Sequence, residues 1–250
     1  MSVYACSDLH GQLHLFEELK TYLKSEDVVY FLGDAIDRGK DGWQICKEIL
    51  DDPRFIYLKG NHEDMMLKAI YNIKEFKEDT FVWNSDIELW FYNGGKATYN
   101  AIIEDKDFYS YFQRIKYLPS LIIYYNKIGN IFLSHAGLDP EVDFVHRSPK
   151  EEYLLWNRTH YIGDCFYGNK FEYVVHGHTP NPYLVKEINY HKNKNEKYSY
   201  HYGDGAFWYA GGHKCCIDCG AHYTNTTVLL NLDTFEEIKI GTPNQEDNDF

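Results

Sequence analysis

The chain has 250 residues, enough for one sizeable domain or two small ones, and its 44% hydrophobic content supports an ordinary packed core. Its 25 basic residues against 38 acidic ones give a formal charge of −13, which argues against nucleic acid as a bulk electrostatic partner and makes any phosphate ester depend on local positive charge. No apolar run reaches the ~20 residues of a membrane span, no secretory signal opens the chain, and six scattered cysteines form no disulfide framework; no membrane partner and a reduced, cytoplasmic setting are therefore expected.

From Met1 to about Ile73 the pattern is β-α-β-α-β-α. The runs Val3–Cys6, Val28–Leu32 and Phe55–Leu58 read as strands, and helical spacing follows them over Leu13–Lys24, Gly42–Leu50 and Glu63–Ile73. Between each strand and its helix lies a glycine-containing segment: Ser7-Asp8-Leu9-His10-Gly11, Gly33-Asp34-Ala35-Ile36-Asp37-Arg38-Gly39 and Gly60-Asn61-His62-Glu63. Residues 74–118 read as mainly helical, interrupted by a turn at Asn93-Gly94-Gly95. Leu121–Tyr125 and Asn130–Leu133 flank Asn126–Gly129 as a hairpin, and Tyr173–Val175 is a strand leading into His176-Gly177-His178-Thr179-Pro180. The polar, tyrosine-rich stretch Lys186–Gly212 reads as an inserted hairpin or rim loop that shapes access. Strands around Lys214–Ile217 and Thr226–Leu232 close a single domain over 1–241, and 242–250 reads as a frayed acidic tail.

Strand ends in an open α/β sheet share one edge, where ligands bind. The first three loops should therefore pool Asp8, His10, Asp34, Asn61 and His62, a set that reads as a metal centre. Asp8 and His10, two apart on an extended loop start, can face one ion, and Asp34 can bridge it to a second. Asn61 offers an amide oxygen, while His135 and His178 bring imidazoles from the second half of the chain. Nitrogen and oxygen donors without thiolate suit Mn²⁺, Fe or Zn²⁺. Two such cations make a hydroxide at neutral pH and clamp both the attacking and leaving oxygens. His62 is placed to protonate the leaving alkoxide, with Asp37 fixing its tautomer, and Arg38 and Arg158 to hold phosphate oxygens through their planar forks.

The three loop segments resemble the signatures of the phosphoprotein phosphatase family, within the calcineurin-like metallophosphoesterases. Ser134-His135-Ala136-Gly137 and Gly177-His178-Thr179-Pro180 match its two later metal histidines, and Trp156-Asn157-Arg158 with Ile217-Asp218-Cys219-Gly220-Ala221 resemble its compact phage and bacterial members. The resemblance implies a β-sandwich of mixed sheets flanked by helices, with Asp8, His10 and Asp34 on the first metal and Asp34, Asn61, His135 and His178 on the second. It further implies His62 as proton donor supported by Asp37, and Arg38 and Arg158 on phosphate. Ser7 stands where the family usually has glycine, and Pro180 where wider superfamily members often carry histidine.

The expected activity is that of a metal-dependent phosphatase: direct in-line hydrolysis of Ser/Thr phosphoproteins or small phosphoesters, aryl phosphates and phosphotyrosine included, with two divalent ions, manganese first. A dinucleoside polyphosphate hydrolase and a catalytically inactive scaffold are the alternatives. His176 is expected at a strand end rather than on a metal. The His213, Cys215, Cys216, Cys219 and His222 patch lacks paired CxxC spacing and is expected to be structural, with Cys219 oxidisable near the rim.

Overall fold

The computed structural model describes residues 1–71, 84–138, 149–158, 172–191, 197–201 and 203–244. Its first sheet is ordered β10-β9-β1-β2-β3, from β1 (Val3–Cys6), β2 (Val28–Phe31), β3 (Phe55–Tyr57), β9 (Thr226–Asn231) and β10 (Glu237–Gly241). The second is ordered β4-β5-β6-β8-β7, from β4 (Leu121–Tyr125), β5 (Asn130–Ser134), β6 (Tyr173–His176), β7 (Phe207–Tyr209) and β8 (Lys214–Cys216). Each sheet has a parallel trio, β1-β2-β3 or β5-β6-β8, extended by antiparallel strands.

Strand alternation explains how the sheets pack. Val3 and Ala5 of β1, Ile131 and Leu133 of β5, Val175 of β6, Cys215 of β8 and Val228 and Leu230 of β9 share one apolar cluster, so the sheets meet face to face. The opposite side chains, Cys6, Val29, Phe31 and Leu229, pack outward on the helices covering the first sheet. Those helices are α1 (Leu13–Thr21), α2 (Gly42–Asp51), α3 (Asn61–Tyr71), α4 (Ser85–Tyr92), α5 (Lys96–Ile103) and α6 (Phe108–Lys116). On the second sheet, Leu154 of α7 (Glu151–Trp156) packs with Phe132 and Val174, and α8 (Asn181–His191) covers Phe207 and Tyr209. This is the mixed-sheet sandwich flanked by helices that the sequence resemblance implies.

Several elements differ from the sequence expectation. The helix expected at Glu63 begins at Asn61, so Asn61 and His62 occupy the first turn of α3, where Glu63 and Asp64 supply the acidic charge a helix start favours. The expected rim insertion at Lys186–Gly212 is in part regular structure: α8 runs to His191, and β7 pairs antiparallel with β8. Leu184, Val185 and Ile188 give α8 its buried face, a helical spacing obscured by the polar residues around it, and Pro182 near its start is compatible with a helix's first turn. The short α9 (Ala221–Thr224) and edge strand β10 are additions. The expected frayed tail begins ordered: Asn244 N–H donates to Thr224 O (3.1 Å) and Asn225 Nδ2 to Thr242 O (3.0 Å). Residues 74–83 of the helical stretch, and 245–250, lie outside the described residues.

Asp105, between α5 and α6, ties those helices to α2 by accepting from Trp43 Nε1 (2.7 Å) and Lys47 Nζ (2.6 Å). Burial alone would raise its pKa, but the bonds from Lys47, Trp43 and the Asp107 N–H outweigh it and hold the carboxyl below its ordinary value. A carboxyl depressed in the fold stabilises above its unfolded pKa of ~3.9 and loses that contribution as pH falls through the folded value. Asp105→Asn should therefore lower unfolding free energy by about 1–3 kcal/mol at pH 7, measured by urea denaturation. The gap to the wild type should close below pH ~4; a gap of equal size at pH 3 would refute the clamp.

Candidate metal centre

The carboxyl ends of both parallel trios converge. The loop after β1 brings Asp8 and His10, the loop after β2 brings Asp34, and the start of α3 brings Asn61 and His62; β5 and β6 deliver His135 and His178. Backbone bonds stitch these loops together: Asp8 N–H to Gly33 O, His10 N–H to Asp34 O and Gly11 N–H to Ala35 O, each 3.0 Å, and Gly177 N–H to His135 O at 2.8 Å. Asp8, His10, Asp34, Asp37, Arg38 and His178 all hold φ between +44° and +70°, a left-handed region that costs side-chain-bearing residues energy and that clusters at functional sites. Two glycines make the room. A Cβ on Gly60 would collide with Asp34, and one on Gly177 with the Asp8 carboxylate.

The donor atoms point at one another. Asn61 Oδ1 lies 2.7 Å from His135 Nε2 and 2.9 Å from His178 Nδ1, and Asp34 Oδ2 lies 3.4 Å from His135 Nε2 and 3.5 Å from His10 Nε2. Neighbouring ligands on an octahedral ion with ~2.1 Å bonds sit ~3.0 Å apart, so these spacings fit a cation-binding set. His10 Nδ1 bonds to Ile36 O (3.0 Å) and His135 Nδ1 to Leu32 O (2.8 Å). A carbonyl can only accept, so each Nδ1 carries a proton and each Nε2 faces inward, the orientation a metal-ligating imidazole needs once any proton on Nε2 has left.

Charge argues the same way. Asp8, burial-stressed and close to Asp218, has its pKa raised well above the ordinary carboxyl range. Asp34 resists burial because His135, His62 and His10 outweigh it, and its pKa is held well below that range. Burial would lower the His135 pKa, yet Asp34 and Asp8 lift it to about 10, so His135 supplies the positive charge that these acids demand. A divalent cation would take that proton's place. His10 and His178 are held well below their usual values, chiefly by burial, and are neutral donors. Among the described residues, Asp8–Asp34–His135 and His10–Asp34–His62 each gather ligand atoms within 4.8 Å, with Asp34 common to both.

His62 reaches Asp37 through Nδ1 (2.7 Å) and turns Nε2 toward Asp34 Oδ2 (3.8 Å) and Arg38 Nη2 (3.4 Å). Asp37 is fully buried and accepts from Trp90 Nε1 (2.9 Å) and Thr98 Oγ1 (2.6 Å), which arrive from α4 and α5. The turn at Asn93–Gly95 joins those helices, and Gly94 O accepts the Arg38 N–H (3.1 Å). Arg158 is exposed and donates from Nε to His178 Nε2 (3.3 Å), so one guanidinium borders His62 and the other His178.

Sequence reasoning missed the supports. Glu63, fully buried, accepts from the N–H groups of Asp34, Gly60 and Ala35 and from Tyr57 Oη, and thereby pins the second loop to the third. Its place beside the ligand motif was visible; its backbone partners were not. Trp90 and Thr98 carried no signal, being a core-type aromatic and a helical threonine. Asp218, whose motif was recognised, is buried beside Asp8 and has its pKa lifted by burial to about 6. His176 bonds to Tyr209 Oη (2.8 Å), as a strand-end residue would. Cys215 and Cys219 are buried in the cluster between the sheets and Cys216 in the one beneath α8, and burial raises all three thiol pKa values. The expected ready oxidation of Cys219 is therefore corrected, because the reactive thiolate is disfavoured there.

The calcineurin-like phosphoesterase profile matches residues 1–216. Serine/threonine-protein phosphatase 2 of Escherichia coli (strain K12) is 23% identical over 183 residues, spanning 70% of this chain and 78% of that protein. A solved structure of a candidate diadenosine tetraphosphatase is similar at TM-score 0.60 and 15% identity, over 97% of this chain and 94% of that one. A Saccharomyces cerevisiae protein serine/threonine phosphatase with similarity to human phosphatase PP5 gives 0.57 and 17%, over 99% and 82%. The structural likenesses speak for the fold; the profile match spans the loops after β1, β2, β3, β5 and β6. The chain belongs to the calcineurin-like phosphoesterase family and is a metal-dependent phosphoester hydrolase.

Proposed function

We propose that the chain is a two-metal phosphomonoesterase of the phosphoprotein phosphatase branch, acting in the cytoplasm on phosphoserine and phosphothreonine esters by direct in-line attack of water. The observation that carries this reading is the central position of Asp34, a single buried carboxylate whose Oδ2 lies 3.5 Å from His10 Nε2 and 3.4 Å from His135 Nε2 and which shares a ligand group with Asp8. A carboxylate so placed suits two adjacent cations. Asp8, His10 and Asp34 would hold one ion, and Asp34, Asn61, His135 and His178 the other; the nitrogen-and-oxygen donor set favours Mn²⁺, with Fe or Zn²⁺ as substitutes. Bound there, the pair would supply an acidified water and positive charge against the phosphoryl oxygens.

The chain's own groups do the remaining work. Arg38 and Arg158 bring planar guanidinium charge to both borders of the cluster, which the acidic protein as a whole does not offer a phosphate. His62 donates its Nδ1 proton to Asp37, which fixes the ring, and its Nε2 delivers a proton to the departing oxygen. Trp90 Nε1 and Thr98 Oγ1 donate to the Asp37 carboxyl and keep it aimed at His62. The name of the Escherichia coli relative supports a protein substrate.

Three outcomes are expected. Elemental analysis should find two divalent ions per chain, and exhaustive chelation should abolish turnover, with Mn²⁺ restoring most of it; full activity after chelation rules out the reading. On a substrate panel, phosphoserine peptides should be turned over with a higher kcat/KM than diadenosine tetraphosphate, and a strong preference for the dinucleotide would reassign the substrate. His62→Asn should lower kcat for a phosphoserine peptide by about 10²–10⁴, the usual worth of a positioned acid, and cost less on p-nitrophenyl phosphate, whose leaving group needs little protonation. Equal losses on both would remove His62 from the proton-donor role.

A further inference from the structure

We infer that the Ser7 hydroxyl is a positioning group for the metal centre: it fixes the plane of the Asp8 carboxylate, so that Oδ1 is the oxygen offered to an ion. The inference deepens the two-metal reading above and rests on it. Ser7 directly follows β1, is 1% exposed, and donates from Oγ to Asp8 Oδ2. The His178 N–H arrives from the loop after β6 and straddles the same carboxylate, 3.2 Å from Oδ1 and 3.1 Å from Oδ2. Oδ2 is therefore engaged from both ends of the chain, while Oδ1 has only a share of one donor.

The backbone does not ask for glycine at this place. Ser7 does not share the left-handed φ of Asp8 (+55°), so the conformational freedom of the residue usual in the family is not used here. What the serine adds is its hydroxyl. Gly177 completes the fit, because a Cβ there would collide with Ser7 Oγ and Asp8 Oδ2 alike. The bare backbone of the loop after β6 thus leaves the space in which hydroxyl and carboxylate meet.

The last torsion of an aspartate is soft, and an unheld Asp8 would be free to turn either oxygen toward a cation. A hydroxyl-to-carboxylate bond is charge-assisted and removes that freedom. Two effects oppose each other. The bond draws charge from the carboxylate, which loosens its grip on a cation, but it also sets the orientation in advance. Loss of such an outer partner typically weakens metal binding by about 10- to 100-fold, so orientation wins. Asp8 serves only one of the two proposed ions, and the effect should fall on that ion alone.

The test titrates Mn²⁺ into the metal-free full-length protein, following heat and the Mn²⁺ electron paramagnetic resonance spectrum. Ser7→Ala should weaken one ion by about 10- to 100-fold and leave the other at its wild-type affinity. At limiting Mn²⁺ the signal of a spin-coupled pair should give way to that of an isolated ion. Ser7→Gly, which installs the family's usual residue, should repeat the result and serves if the alanine variant does not fold. Parallel weakening of both ions assigns Ser7 to general packing and overturns the inference alone, as does wild-type affinity in both variants. A wild-type protein that never binds a pair of Mn²⁺ ions overturns the two-metal reading and this inference with it.

Discussion

The organising constraint of this molecule is the burial of Asp8, Asp34, Asp37, Glu63 and Asp218 in one neighbourhood. Buried anions are costly unless paired or saturated with hydrogen bonds. Glu63 is answered by backbone amides and a tyrosine hydroxyl, Asp37 by an indole, a threonine and His62, and Asp218 by the amide of Gly220. Asp8 has the Ser7 hydroxyl and the His178 N–H, and Asp34 the His62 N–H and nearby imidazoles, so the two carboxyls share one cationic partner, His135, and added positive charge would satisfy both. The rest of the architecture is arranged around that unmet need.

Strain is the second cost, and it falls in the same place. The left-handed residues of the first two loops and of His178 each cost on the order of 1–3 kcal/mol, and they persist only where surrounding structure over-determines them. Here the overdetermination is visible. The first two loops are zipped together by backbone bonds, Glu63 anchors the second to the third, and the apolar cluster between the sheets holds both strand sets in register. Rigidity of this kind keeps the donor atoms convergent.

What the sequence revealed and what it hid follow from the range of each interaction. Asp8, His10, Asp34 and Asn61 were legible because each follows a short apolar strand, and the shared edge of such strands is a topological rule. His135 and His178 were legible for the same reason in the second sheet. Trp90, Thr98 and the partners of Glu63 were not, because they act through tertiary contacts that leave no spacing pattern. Helix α8 was hidden by composition: Leu184, Val185 and Ile188 carry its buried face among asparagine, lysine and tyrosine. Strand β10 was hidden by exposure, since of its five residues only Ile240 is buried.

The contacts that close the centre join distant parts of the chain. Asp8 meets His178 across 170 residues, Asn61 meets His178 across 117, and His135 meets Leu32 across 103. Such long-range closures form late, after local helices and hairpins have paid their own entropy. During synthesis the first three loops therefore emerge well before His135 and His178, the imidazoles that the second half of the chain supplies. Chains that stop before β6 lack His178 and so cannot assemble the full donor set, which ties the centre to completion of the second sheet.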